Sequence, residues 1–293
     1  MSGSPQRREF RASDFGPAPS QHGLAHRLTV VVSLLIGIVI VVLIYSAVTG
    51  ADNFKIQSTQ FDTKGQFSAP LNIVFLTDLH VRNSTSQFEK LNSIIESVRE
   101  LEPDLILLGG DFTGEDTATT RLFRAELLTA LGALPQISPT YAILGNHEWW
   151  TANDWGAAIA GAGIQLIENQ QRSLTFEQGR ICLRGLGDAY TGHYQPQPFT
   201  PTCTGIPVTL THDPLAIESD DQSGLYLAGH THCGQIRLPL IGAPWAPTRA
   251  SEEYHCGVGS TDKKVWLVSA GLGTSIIPFR FGTDAAIEHV ILK

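Results

Sequence analysis

Five short apolar runs in this chain each stop at a residue that can ligate a metal, and that repetition limits the possible folds more than any other feature. They are Leu71–His80 (LNIVFLTDLH), Leu105–Asp111 (LILLGGD), Tyr141–His147 (YAILGNH), Val208–Asp213 (VTLTHD) and Leu225–His232 (LYLAGHTH). Runs of this length and content read as buried strands. Asp78 and His80 lie two residues apart, so on an extended backbone both side chains leave the same face. A carboxylate oxygen beside a neutral ring nitrogen suits a divalent metal ion. Glycines next to most of these residues let the chain turn sharply and come close to an ion or a phosphate. Strand ends in a layered α/β sheet open into one crevice, so five such ends can build one site.

Asp78-Leu79-His80, Gly110-Asp111, Gly145-Asn146-His147-Glu148, His212 and Gly229-His230-Thr231-His232 resemble, in order, the five-block signature of calcineurin-like metallophosphoesterases. The resemblance runs from about Leu71 to the C-terminus. The stretch Gly271–Gly282 (GLGTSIIPFRFG) further resembles the membrane-associated bacterial phosphodiesterase branch of that family. An α/β fold is implied, a four-layer αββα sandwich of two mixed β-sheets flanked by helices. The resemblance also implies two divalent ions. Asp78, His80, Asp111 and His232 would hold the first; Asn146, His212 and His230 would hold the second, with Asp111 bridging. Carboxylate, imidazole and amide oxygen suit Mn, Fe or Zn. Two ions roughly 3.5–4 Å apart can share a hydroxide at neutral pH and clamp the phosphoryl oxygens, so no Ser or Cys nucleophile is required. His147 would stand near the leaving-group oxygen and deliver a proton; support of Asn146 is the alternative. Arg82 either contacts a substrate phosphate or is a solvated loop residue. Asp213 either orients a ligand imidazole or forms a turn with Pro214, and Asp188 reads as turn chemistry. His193 and His255 sit in loops that could approach the crevice. Arg280 divides between a structural and a site-supporting role.

The 293 residues, 42% hydrophobic and 16% charged, fit one large domain with a sizeable core. A net charge of −8 without a basic stripe argues against nucleic acid as a partner. It does not argue against a phosphate substrate, because bound cations reverse the local field. Residues 1–27, rich in Ser, Pro, Gly and Arg, read as a disordered cytosolic tail. Leu28–Val48 is apolar, uncharged and of bilayer length, a transmembrane anchor; a buried core helix is the other reading. Arg7, Arg8, Arg11 and Arg27 precede it, while Asp52 and Lys55 follow, which puts the N-terminus in the cytosol and the catalytic domain on the periplasmic side. Arg7-Arg8-Glu9-Phe10 resembles a twin-arginine export signal, although the apolar region starts late for one. Cleavage near Ala51 is therefore the alternative to an uncleaved anchor. Residues 49–70 read as a tether and first edge strand, and residues 71–293 as the metallophosphoesterase domain. Helical spacing marks 86–101, with an N-cap from Ser84 to Ser86, then 122–134 and 154–162. Shorter strands are expected at Ile181–Arg184, Gln235–Leu238, Val265–Ser269 and Ala286–Leu292.

Four cysteines in a domain placed outside the cytosol permit two disulfides in three connectivities. Cys233 follows His232 where relatives in the family carry Gly, and a free thiol there would compete for the ions. Cys256 lies in a loop that returns before Val265–Ser269, so the pairing expected is Cys233–Cys256 with Cys182–Cys203. Free thiols in a reducing compartment are the alternative. Trp149, Trp150, Trp155, Trp245 and Ile276–Phe279 could meet a bilayer interface or hold an acyl chain, or they could pack loops onto the domain. The expected function is a membrane-anchored binuclear-metal phosphoesterase acting on a phosphodiester or phosphomonoester, with a phospholipid or cell-envelope substrate in view. One alternative is a catalytically silent metal-binding protein, although no expected ligand is missing. Another is a pyrophosphatase of a UDP-diacylglucosamine-type lipid A precursor, which is made on the cytosolic side, against the expected topology. The ligand blocks encode phosphoryl transfer and little more, and nothing in the sequence specifies an oligomeric state.

Overall fold

The computed structural model describes residues 21–114, 121–151 and 154–293. The chain divides into two units, Met1–Tyr45 and Ser46–Lys293. Helix α1 (Gln21–Asp52) starts in the first. Its stretch Ala25–Tyr45, 21 residues, is long and apolar enough to cross a membrane. Leu, Ile and Val project from it on every side, as on a helix whose solvent is lipid. The helix is described from Gln21, seven residues before the apolar run. The rest of the expected tail, with Arg7, Arg8 and Arg11, lies outside the described residues. At the other end α1 continues to Asp52, so Asn53 alone precedes the first strand.

The second unit is built on two six-stranded sheets. The first has the order β1 (Phe54–Phe61), β12 (Ala285–Leu292), β2 (Leu71–Leu76), β3 (Leu105–Leu108), β4 (Thr140–Ala142), β5 (Gln165–Leu166). All neighbours are parallel except β12 with β2. The second runs β10 (Gly257–Ser260), β11 (Lys264–Val268), β9 (Gly224–Ala228), β8 (Ile206–Leu210), β7 (Arg180–Gly185), β6 (Gln170–Thr175). There only the outer pairs, β10 with β11 and β6 with β7, are antiparallel.

Alternation along each strand makes the layers. Ile73 and Phe75 of β2 point into the same cluster as Leu225 and Leu227 of β9, which fills the space between the sheets. Val74 and Leu76 point the other way, against α2 (Thr85–Glu100), α3 (Arg121–Leu131) and α5 (Trp155–Gly161). Tyr226 and Ala228 pack outward with Ile217 of α6 (Leu215–Ser219) and with Tyr254. The result is the four-layer αββα sandwich. It buries both faces of its central parallel strands, which is why they read as unbroken apolar runs.

Two local expectations fail. Gln235–Leu238 is not a strand; it makes only isolated bridges, Ile236 with Phe281 and Leu238 with Gly242. The turn before it forces Gln235 to φ 53, and Gly242 reverses the chain soon after, so no ladder can extend. Ser84 stands at the N-cap of α2, but its hydroxyl makes no capping bond. Cys182 of β7 is joined to Cys203 (Cα–Cα 5.3 Å) and Cys233 to Cys256 (4.7 Å).

Candidate metal centre

The five apolar runs stop as strands before they reach the ligand-type residues. β2 ends at Leu76, β3 at Leu108, β4 at Ala142, β8 at Leu210 and β9 at Ala228. The polar side chains stand on the turns just beyond. Asp78, His80, Asp111, His230 and His232 all have positive φ, between 43 and 68°. This corrects the extended-backbone argument for Asp78 and His80, since both occupy the left-handed region and converge through a tight turn. Non-glycine residues hold such angles at a cost, and they concentrate at functional sites. At Gly145 a side chain would collide with the Asp111 carboxylate and the His212 ring.

Glu148 locks these turns together. It lies in the short helix α4 (Asn146–Thr151), fully buried, and its carboxylate accepts from the main-chain N–H groups of Asp111 (2.8 Å), Phe112 (2.9 Å), Thr113 (3.3 Å) and Gly145 (3.0 Å). Burial and the charge of Asp111 push its carboxyl up, to about 8, while the amide bonds pull the other way. The main chain of His147 donates to Asp111 Oδ1 at 2.9 Å. Thr77 donates its hydroxyl to Asp78, as does the main chain of His230, both at 2.9 Å.

Three buried groups result: Asp78, His80 and His232; His80, Asp111 and His147; Asp111, His212 and His230. In each, the candidate ligand atoms lie within 4.8 Å of one another. Asn146 joins the last, with Oδ1 at 3.1 Å from His212 Nε2. His147 Nε2 is 3.9 Å from Asp111 Oδ2. Burial alone would raise both aspartates, but His232 and a bond to His80 hold Asp78 well below the carboxylate range, and His212 does the same for Asp111. Burial also opposes charge on His212, yet the Asp111 carboxylate outweighs it and raises that ring. His232 is kept low by burial, with His80 and Arg280 adding to the effect.

The donor set fits metal ions. His212 Nδ1 lies 2.7 Å from the carbonyl of Gly109 and His230 Nε2 lies 2.6 Å from that of Pro247, so each of those nitrogens carries the proton. When the rings are neutral, the opposite nitrogens, His212 Nε2 and His230 Nδ1, bear lone pairs; they face each other at 3.2 Å, and the Asp111 carboxylate that raises His212 marks the same point as one that attracts a cation. Asn146 Oδ1 and Asp111 Oδ2 (3.3 Å) crowd the same point. Four acceptors around one point exceed what a single proton satisfies, and a divalent cation satisfies all of them. On the other side His80 Nε2 and His232 Nε2 approach to 3.0 Å beside both carboxylates.

The remaining expected residues fall out unevenly. Arg82 is tied to Thr274, through its hydroxyl and its carbonyl, and is only half-buried. Asp213 accepts from Leu215 N and the Thr248 hydroxyl, so it shapes the turn, while the carbonyl of Gly109 orients His212. Asp188 likewise accepts from Tyr190 and Thr191 in a turn. His193 reaches the rim by stacking on Trp149 (3.5 Å, 6°), and His255 stays in its own loop, bonded to the carbonyl of Ala250. Arg280 both ties the carbonyls of Ala270, Gly271 and Gly273 and reaches within 3.3 Å of His232 Nδ1. Two half-exposed aromatics flank the opening, Trp150 at 5.2 Å from the His147 ring and Tyr190 at 4.7 Å from the His230 ring. Sequence reasoning missed Tyr190, the clamp role of Glu148 and the carbonyls of Gly109 and Pro247. For Glu148 an acid in the first turn after Asn146 was a usable signal; main-chain carbonyls carry none.

An αββα sandwich with carboxylates, imidazoles and an amide converging from five strand ends is the architecture of a metal-dependent phosphoester hydrolase. A family model for calcineurin-like phosphoesterases matches residues 71–234. Phosphodiesterase YaeI of Escherichia coli (strain K12) is 32% identical over 217 residues, covering 71% of this chain and 77% of that relative. A transmembrane protein with metallophosphoesterase domain from Bos taurus is 28% identical over 250 residues, 76% of this chain, which spans only 53% of that longer relative. The uncharacterized metallophosphoesterase YkuE of Bacillus subtilis (strain 168) is 28% identical over 231 residues, covering 75% of this chain and 78% of YkuE. This chain belongs to the calcineurin-like phosphoesterase family and is a metal-dependent phosphoric ester hydrolase.

Proposed function

We propose that the protein is a membrane-anchored phosphodiesterase whose catalytic domain faces the extracytoplasmic side and cleaves a lipid or cell-envelope phosphodiester. The observation that carries the catalytic reading is the position of Asp111, shared between two of the ligand groups, where one carboxylate can serve two ions. Asp78, His80, Asp111 and His232 would hold the first ion; Asn146, His212 and His230 would hold the second, with Asp111 available to both. Two such ions, when bound, acidify a shared water and neutralise phosphate charge. The chain's own part is to fix their positions through Glu148, the carbonyls of Gly109 and Pro247, and the strained turns. His147 supplies the proton to the departing oxygen. Its ring packs edge-on against His80 (4.6 Å, 88°) and beneath half-exposed Trp150, at the mouth of the site. The diester is favoured over the monoester by the relative named as a phosphodiesterase. The bilayer-length helix and the relative named as a transmembrane protein support the anchor.

The test uses the full chain in detergent, loaded with Mn, and bis(p-nitrophenyl) phosphate as substrate, with metal content measured on the same sample. Turnover with close to two ions bound is expected. Two ions without turnover would mean a silent metal-binding protein; turnover with one ion would remove the shared role of Asp111.

A further inference from the structure

The segment 235–238, which fails to become a strand, walls an apolar cleft that opens beside the candidate metal centre. The cleft holds about 200 Å³ and is lined by His232, Ile236, Pro244, Trp245, Ile276 and Ile277, among others. His232 thus faces both the ligand cluster and the cleft. Gln235 staples the walls: its side-chain N–H donates to the carbonyls of Ile277 (2.8 Å) and Phe279 (2.9 Å), and its Oε1 accepts from Ser275 N (2.8 Å). The cleft is therefore a built feature and not a gap between loose loops.

Trp245 and Ile276 of its lining are exposed, and Leu238, Leu240 and Ile241, on the loop between Arg237 and Trp245, add three more exposed apolar side chains to make an apolar crown. Leu240 (φ 68) and Ile276 (φ 57) keep their side chains in solvent on left-handed backbone, which is unfavourable for any side chain and most of all for a β-branched one. No charged residue occurs from Leu238 to Thr248, and exposed Arg237 and Arg249 bracket that run. In a chain of net charge −8, two cations around an apolar tip match an anionic lipid surface, where aliphatic and Trp side chains enter the interface and cations stay among headgroups. The same chain carries a helix of bilayer length, so such a surface is at hand.

We propose that the crown seats in the lipid interface and that the cleft beside His232 takes an acyl chain of a phosphodiester-bearing lipid, whose phosphate lies on the metal centre. This rests on the phosphodiesterase reading above and names the substrate class for that site. Cleavage would release the headgroup, or its phosphate ester, to water while the acylated product stays in the membrane.

The experiment measures inhibition of bis(p-nitrophenyl) phosphate hydrolysis by a series of n-alkyl phosphonates from butyl to decyl, each below its micelle concentration, using the full chain reconstituted in vesicles containing phosphatidylglycerol. The inhibition constant should fall about threefold to fourfold per methylene until the cleft is full, the factor expected from burying one CH₂. Ile276→Asp, at an exposed position whose left-handed backbone Asp adopts more readily than Ile, should flatten the series. In the same vesicles an environment-sensitive dye attached at Leu240→Cys should emit as in an apolar medium and be quenched by brominated lipids. An inhibition constant independent of chain length, or a dye at 240 that stays in water, overturns the proposal. Failure of the soluble diester to react at all would instead strike the phosphodiesterase reading, so the two failures are distinguishable.

Discussion

Replacing Asp111 with Asn changes a carboxylate shared by two candidate ligand groups into a neutral amide. Because this residue belongs to two ligand groups, Asp111→Asn should lower occupancy at both positions. His147→Ala removes no assigned ligand and should keep both ions while slowing turnover by about 10²–10⁴, the usual contribution of a general acid. The loss should shrink for p-nitrophenolate, which leaves without a proton. Metal analysis and rates on the same two preparations decide the matter, and metal loss in His147→Ala would reassign that residue as a ligand. Glu148 works differently, through four main-chain N–H donors. Above about pH 8, where the Glu148 carboxylate is ionised, Glu148→Gln turns half of that acceptor into a donor facing other donors, and should cost about 1–3 kcal/mol of stability, read as a lower denaturation midpoint. At this scale the sequence was most legible where chemistry resides in side-chain identity, as for Asp78, His80 and His232. It was least legible where main chain does the orienting. Asp213 follows His212 and so was a natural candidate to orient it, yet the carbonyl of Gly109, 103 residues away, lies against that ring.

Strands in the middle of the sheets announced themselves, because burial on both faces demands an apolar run. β6 and β10 did not, since edge strands with one solvated face can be built from QQRSLT and GVGS. Gln235–Leu238 shows the opposite failure: a sequence fit for a strand is diverted by the turn that presents His232. β12 contains a further cost. Glu288 is buried, accepts from the Ser269 hydroxyl at 2.8 Å through one oxygen, and has no partner for the other. Burial raises its carboxyl from 4.5 to about 7. Over that interval the folded protein keeps a proton that the unfolded chain has lost, so this group makes stability fall as pH rises from about 4.5 to 7, by about 3 kcal/mol in all. Above about 7 both states are ionised and the loss is complete. Glu288→Gln retains the bond from Ser269 and does not titrate. It should unfold at higher urea than the parent at pH 8, and the two proteins should converge near pH 4.5. Parallel pH profiles would show that Glu288 is ionised in the fold.

Orientation is a property of the whole chain, and the extracytoplasmic placement proposed above rests on two features. Arginines cluster before the apolar helix, and cations near a membrane segment stay on the cytosolic side. The four cysteines of the larger unit are all bridged, which suits an oxidising compartment. The arginines lie far from the ligand blocks, whereas one bridged cysteine, Cys233, directly follows His232. The lysines make the arrangement measurable. Residues 1–27 contain none, whereas Lys55, Lys64, Lys263 and Lys293 follow the helix and are exposed. A membrane-impermeant amine reagent applied to sealed right-side-out vesicles should therefore label these four side chains. On inverted vesicles the four lysines should react only after detergent is added. Peptide mapping under non-reducing conditions, run on the same material, should recover Cys182 linked to Cys203 and Cys233 linked to Cys256. Lysine labelling confined to inverted vesicles would place the domain in the cytosol. The diester substrate would then have to come from the inner leaflet, and the bridges would have to form against a reducing pool.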